Sequence, residues 1–221
     1  MASGWLPLNL QGLVYECAID VLVTSARAAL DAMRASSAAN TAALEAHRAS
    51  GVFEGERDEH GMAICDRAEL HEQEIAYIAE MANELRKAFV VAAYHHWEVS
   101  VLAWARRETP HDANLRNHAQ SVAKAIEVGY PPDAELRQVS CLANLIKHDS
   151  DSARRALKKA APKLYETMFE NVTARPRWAS AVEISDATLD WVFEVVRKSG
   201  PGGHTLPPPP PGAPASAPSA T

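Results

Sequence analysis

The chain alternates long stretches of helical periodicity with short polar breaks. From about Gln11 to Ala49, Leu13, Cys17, Val21 and Val23 set an apolar face that passes into alanine-rich turns, which predicts a helix. Inside it, "RASSAAN" at 34–40 is expected to interrupt the helix, because Ser and Asn side chains compete for nearby backbone groups. "SGVFEGERDEHG", 50–61, reads as a loop. A long helix follows from about Asp66 to Arg107. Along it Ile75, Ile78, Ala82, Leu85, Phe89, Ala92, His96, Val99 and Ala103 recur at alternating spacings of three and four, the signature of a packing seam. Pro110 in "ETPHD" ends it.

A shorter helix is predicted over about Ala113–Val128, then a turn at "GYPPD". Pro132 or Asp133 opens the next helix, which runs to about His148. "DSD" at 149–151 breaks it and offers an N-cap to a helix at about 152–161, which Pro162 ends or kinks. Residues 172–184 read as irregular or briefly extended, and Ser185 with Asp186 caps a last helix closed by Gly200. With no convincing strand pair, the fold class is all-α: a helical bundle of six or seven helices, one of them long. The bundle is assigned to 1–198. The remainder, 199–221, is Gly- and Pro-rich and is expected to be a disordered tail. Its five consecutive prolines suggest a polyproline II rod able to enter an aromatic-lined groove on a protein partner.

Composition refines this picture. Apolar residues are 47% of the 221, enough for a core. The net charge of −6 is uneven, near −8 over residues 1–100 and +4 over 101–180, so a phosphate prefers the second region. Cys17, Cys65 and Cys141 are scattered and odd in number, which argues against a disulfide framework or a zinc knot and for reduced thiols in a cytoplasm. The N-terminus has no basic region and carries Glu16 and Asp20, so a signal peptide is not expected. No stretch reaches the roughly 18 apolar residues of a membrane span.

Two polar constellations interrupt the apolar pattern. "FVVAAYHHWEVSVLAWA", 89–105, is apolar on nearly every helix face, so His95, His96 and Glu98 are expected at or near the interior. His95 and Glu98 are three apart and can pair, while His96 lies on the seam. This supporting polar cluster fixes helix register or contributes to a shared active site. A metal reading needs Glu-x-x-His on two helices, whereas the order here is His-x-x-Glu with no second copy, so no metal or cofactor is expected.

The second is "CLANLIKHDSD", 141–151. Asn144 and His148, four apart, share a helix face at a helix end, with Lys147 beside them. Beyond the break, Arg154 and Lys158 form one row and Arg155, Lys159 and Lys163 another. The ridge is either a solvated outer face or a phosphate-contacting surface next to a proton-transfer residue.

"ANLIKH" resembles the motif of the HEPN superfamily, all-helical domains that include RNA-cleaving toxins and antiviral effectors. That motif is an arginine, a polar residue that is often Asn, three variable residues and His. Asn144 and His148 match it, and Ala143 stands in the place of the arginine. The break after the His and the preceding long helix with a polar patch are also similar, so the resemblance spans about 66–161. Arg106–His111 fits Arg-x4-His as well, but Pro110 breaks the helix there.

The resemblance implies metal-independent endoribonuclease chemistry, in which an RNA 2′-hydroxyl attacks its neighbouring phosphate. His148 would transfer the proton, Asn144 would position it, and Glu98 would accept from His148 and orient its ring. Lys147, Arg154, Arg155, Lys158 and Lys159 would bind RNA. Arg137 shares the His148 face but lies eleven residues away, roughly 16 Å along the axis. Loss of the arginine would cost about 100- to 1,000-fold in rate. Two subunits often join their motifs in this family, and the long apolar seam also pairs readily with a second copy, so a homodimer is expected. The alternative is a non-catalytic helical protein-interaction module; a small-molecule or metal-binding bundle is the third reading.

Overall fold

A computed structural model of the chain describes residues 10–108, 117–169 and 178–202. Its order is α1 (Leu10–Ser50), β1 (Gly55–Arg57), β2 (Ala63–Asp66), α2 (Arg67–Glu108), α3 (His118–Glu127), α4 (Leu136–His148), α5 (Asp151–Ala160), α6 (Pro162–Phe169), α7 (Trp178–Ala181) and α8 (Asp186–Lys198). The all-α class holds, with eight helices among the described residues rather than six or seven, and with two long helices rather than one.

The first long helix does not break at 34–40. Alanines flank Ser36, Ser37 and Asn40, and the Thr41 hydroxyl donates to the Ser37 carbonyl four residues back, so the polar side chains are accommodated within the helix. The expected loop at 50–61 contains the first strand of a small antiparallel hairpin, β1 against β2. Asp58 makes its turn, its Oδ1 accepting from the amides of His60 (2.9 Å) and Met62 (2.7 Å), and Gly61 takes a positive φ of 78°. Gly55 is required by close approach, since a Cβ there would fall 1.9 Å from the Cys65 carbonyl oxygen.

α1 and α2 pack against each other as an antiparallel pair, and α8 lies along the first part of α1. Arg197 reaches Asp20 (2.6 Å), Arg27 reaches Asp190 (3.6 Å), and Arg34 pairs with Asp186. Asn83 on α2 donates to the Val182 carbonyl and accepts from the Ile184 amide, 2.9 Å each, tying in the segment before α8.

The buried stripe of α2 is Lys87, Val90, Ala93, Tyr94, Trp97, Val101, Trp104 and Ala105, not the predicted seam. Seam residues Ala82, Leu85 and Phe89 are half-buried at the margin of the core, and Val99 is exposed. A helix with α1 on one side and α3, α4 and α8 on the others has more than one apolar face, and the seam marks only one edge.

Other boundaries shift for local reasons. α4 starts at Leu136 because Asp133 first makes a turn, its Oδ1 accepting from the Glu135 amide. α5 ends at Ala160, just before Pro162 as expected, and Pro162 also opens α6, the position where a missing N–H costs nothing. α7 lies in the region expected to be irregular. Pro110 and residues 113–116 lie outside the described residues.

The bundle also extends past its expected limit. Ser199 and Pro201 are buried; the Trp97 Nε1 donates to the Ser199 carbonyl (2.9 Å), and the Ser199 hydroxyl donates to Val195 O (2.7 Å) and accepts from Asp133 N (3.1 Å). Ser199 and Pro201 therefore pack into the core; the proline run lies outside the described residues. Among the described residues no helix is long and apolar enough to cross a membrane.

Candidate functional site

α4 carries the site because its two faces differ. Leu136, Val139, Ser140, Leu142, Ala143 and Leu145 are buried against the bundle. The opposite stripe is Arg137, Cys141, Asn144 and His148, spaced four, three and four. Asp149 then adopts the left-handed conformation at φ 44°, one that Asp tolerates well, and its Oδ1 accepts from the Ala179 amide at 2.6 Å. This reversal sends α5 back beside α4. Ser150 caps α5, accepting from the Ala153 amide at 3.2 Å.

The stripe and the returning helix enclose an open groove of about 410 Å³, lined by Arg137, Cys141, Asn144, His148, Ser150, Ser152, Ala153 and Ala156. His148 and Arg137 are exposed and Asn144 half-buried. Arg137, Asn144 and His148 make no side-chain hydrogen bond or ion pair among the described residues. They present an imidazole, an amide and a guanidinium on one wall, with two serine hydroxyls opposite. Cys141 is buried, and that burial raises its thiol pKa, so it contributes packing rather than a thiolate.

Glu98 is not brought to His148. Tyr94 lies against Ser140, while Asp149 holds Ala179 close to the Val182 carbonyl bound by Asn83, so α2 and α4 run antiparallel. Glu98 is then level with the start of α4, about 18 Å along the axis from the level of His148. Its ion-pair partner is His95, at 3.9 Å.

The two histidines also part company. His95 is exposed, against the expectation of burial, because it sits opposite the Ala93–Trp97 stripe. His96 stacks on Tyr15 with centroids 4.9 Å apart, and its Nε2 lies 3.3 Å from the Tyr15 carbonyl; burial lowers its pKa. It locks α1 to α2 rather than serving the groove.

The basic ridge divides as well. The Arg154 Nη1 donates to the Tyr165 hydroxyl at 2.8 Å, and Lys158 sits 5.5 Å from the Tyr165 ring centroid, so this row faces α6. Lys147, Arg155 and Lys159 are exposed. Every described Arg and Lys on α1, α3 and α8 has an ion-pair partner. Arg137, Lys147, Arg155, Lys159 and Lys163, all on α4–α6, have none among the described residues.

His118 was missed by the sequence reading. Its Nδ1 is hydrogen-bonded with the Tyr94 hydroxyl at 2.9 Å, and burial, then the nearby Arg137, push its pKa down to about 4. Burial raises that of Tyr94. This neutral pair closes the Arg137 end of α4. Nothing in the spacing of His118, which follows a polar connection, links it to Tyr94. The Arg137–Cys141–Asn144–His148 stripe, by contrast, is legible as a helical spacing. No family model, curated protein or solved structure matches this chain. Among the described residues no group of three or more His, Cys, Asp and Glu is placed to hold a metal ion.

Proposed function

We propose that the chain binds single-stranded RNA in the α4–α5 groove and that His148 gives it slow, metal-independent endoribonuclease activity of the HEPN type, as in toxin and antiviral proteins. One observation carries this reading: Arg137, Asn144 and His148 line one open groove with none of their polar groups engaged. Exposed cations with no internal partner are free to release counterions on meeting phosphate, and Arg155, Lys159 and Lys147 extend that surface. An exposed imidazole can both take and give a proton.

The arginine adjacent to the polar residue in the HEPN motif has no equivalent here, because Ala143 is fully buried on the other face of α4. Arg137 supplies the cation, but about 16 Å along the axis, where it holds a neighbouring phosphate rather than the scissile one. Binding therefore exceeds cleavage. The non-catalytic interaction module remains the second reading, supported by the engagement of His96 and Tyr94 in packing.

The test is incubation of the full chain with single-stranded RNA at low salt and in chelator. Slow cleavage that is lost in His148→Ala while binding persists supports the proposal. Arg137→Ala is expected to weaken binding and flatten its salt dependence by about one unit of slope. RNA that neither binds nor is cut sinks it in favour of the module.

A further inference from the structure

Residues 35–82 form an arm. Contacts to α8 stop at Arg34 on α1, and the ties to the segment before α8 begin at Asn83 on α2. Beyond them, the end of α1 and the start of α2 continue as an antiparallel pair for about 24 Å, capped by the β-hairpin. Leu44 is the only residue of this arm that is buried. Val52, Met62, Ile64, Leu70 and Tyr77 are large apolar side chains exposed on it. Two helical segments with one buried residue between them bury little apolar surface against each other.

Charge indicates what covers the arm. Residues 35–82 hold ten acidic and three basic residues. Two such arms repel, which disfavours arm-to-arm pairing. Residues 137–163 hold seven basic and two acidic residues, and it is here that the unpartnered cations gather. α6 adds a concavity of about 510 Å³ lined by Lys163, Tyr165, Glu166, Thr167 and Phe169.

We infer that the occupant is a second copy of this chain: the acidic arm of each protomer docks on the basic α5–α6 face of the other, giving a two-fold dimer with two identical arm-to-body contacts. Closed two-fold pairing satisfies both surfaces at once and leaves none to propagate a filament. Arg155 and Lys159 belong to both surfaces, so arm and RNA compete for them; the inference does not rest on the ligand of the α4–α5 groove, and its test contains no RNA, so the two readings fail separately.

The test is sedimentation of the full chain in roughly 0.05 M and roughly 0.5 M salt, with two charge-reversed variants. One carries Glu45→Lys, Glu56→Lys and Glu80→Lys on the arm; the other carries Arg155→Glu, Lys159→Glu and Lys163→Glu on the body. None of these six side chains has an ion-pair partner among the described residues, so helicity by circular dichroism should be retained; the corresponding Gln substitutions serve if it is not. The wild type is expected to be a dimer at low salt and to dissociate at high salt. Each reversed variant alone should be a monomer, and an equal mixture of the two should dimerise, because the introduced lysines of one arm meet the introduced glutamates of the other body while the second contact keeps the wild-type charges. A wild type monomeric at low salt overturns the inference and leaves the arm for a different basic partner. A dimer indifferent to salt and to both reversals overturns it in favour of an apolar interface. A mixture that stays monomeric overturns it too.

Discussion

Gly200 lies against the ring of Tyr15: a Cβ built on it would fall 2.2 Å from the Tyr15 Cε1. Tyr15 is held from several sides, stacking on His96, meeting Trp104 edge-on at 5.5 Å, and donating from its hydroxyl to the Val196 carbonyl. The ring cannot yield cheaply. Gly200→Ala is therefore expected to destabilise the fold by about 1–3 kcal/mol, read as a fall in melting temperature of roughly 2–4 °C per kcal/mol. An unchanged melting temperature would mean that the end of α8 is free to move away from α1.

A chain ending at Gly202 is expected to match the full-length melting temperature, and one ending at Lys198 to fall well below it. The shorter chain strips the buried Trp97 Nε1 of its acceptor and Asp133 N of the Ser199 hydroxyl. An unpaired buried donor costs about 1–3 kcal/mol. Equal melting of all three chains would return the domain limit to 198.

These two positions show where the sequence was opaque. The long helices were legible because thirty or more residues of period-3.6 pattern average out local exceptions such as Ser36 and Asn40. Gly200 looked like a helix terminator and Ser199 like the start of a tail, since composition cannot reveal that a distant Tyr or Trp packs there. The same blindness misplaced His95, whose apolar neighbours hid which face it occupies. Half of the candidate site was readable: Asn144 and His148 came from helical spacing. Arg137 shared that spacing but was set aside on distance, and the groove's other wall depends on the Asp149 reversal, which a string of polar letters does not specify. Glu98 was linked to His148 before the antiparallel register of α2 and α4 was known.

Ala143→Arg separates the motif from the molecule. It would complete the HEPN-like pattern in sequence, yet Ala143 is 0% exposed and faces the core. The expected outcome is loss of about 3–5 kcal/mol, as for an uncompensated buried charge, with no gain in RNA cleavage. A folded, faster enzyme would show that α4 turns its other face to the substrate.

Acid should loosen the molecule through His118. Its folded-state pKa, about 4, lies below the roughly 6.5 of an unfolded His, so the unfolded chain takes up the proton first as pH falls. The stability from the neutral ring is fully present above the unfolded value and is lost progressively as pH drops toward the folded one. His96, lowered by burial, adds a contribution of the same sign. Asp66 and Asp186 have depressed pKa values, set first by hydrogen bonds from His47 and Arg86, and lose their contributions only at lower pH, as their carboxylates protonate. Urea unfolding at about pH 7 and about pH 5 should thus show lower stability at the lower pH, with a smaller difference in His118→Gln. Arg137→Gln should raise the His118 pKa in an NMR titration, since Arg137 is the second cause of its depression. A His118 titrating near its ordinary value in the wild type would place the ring in water and dissolve its pairing with Tyr94.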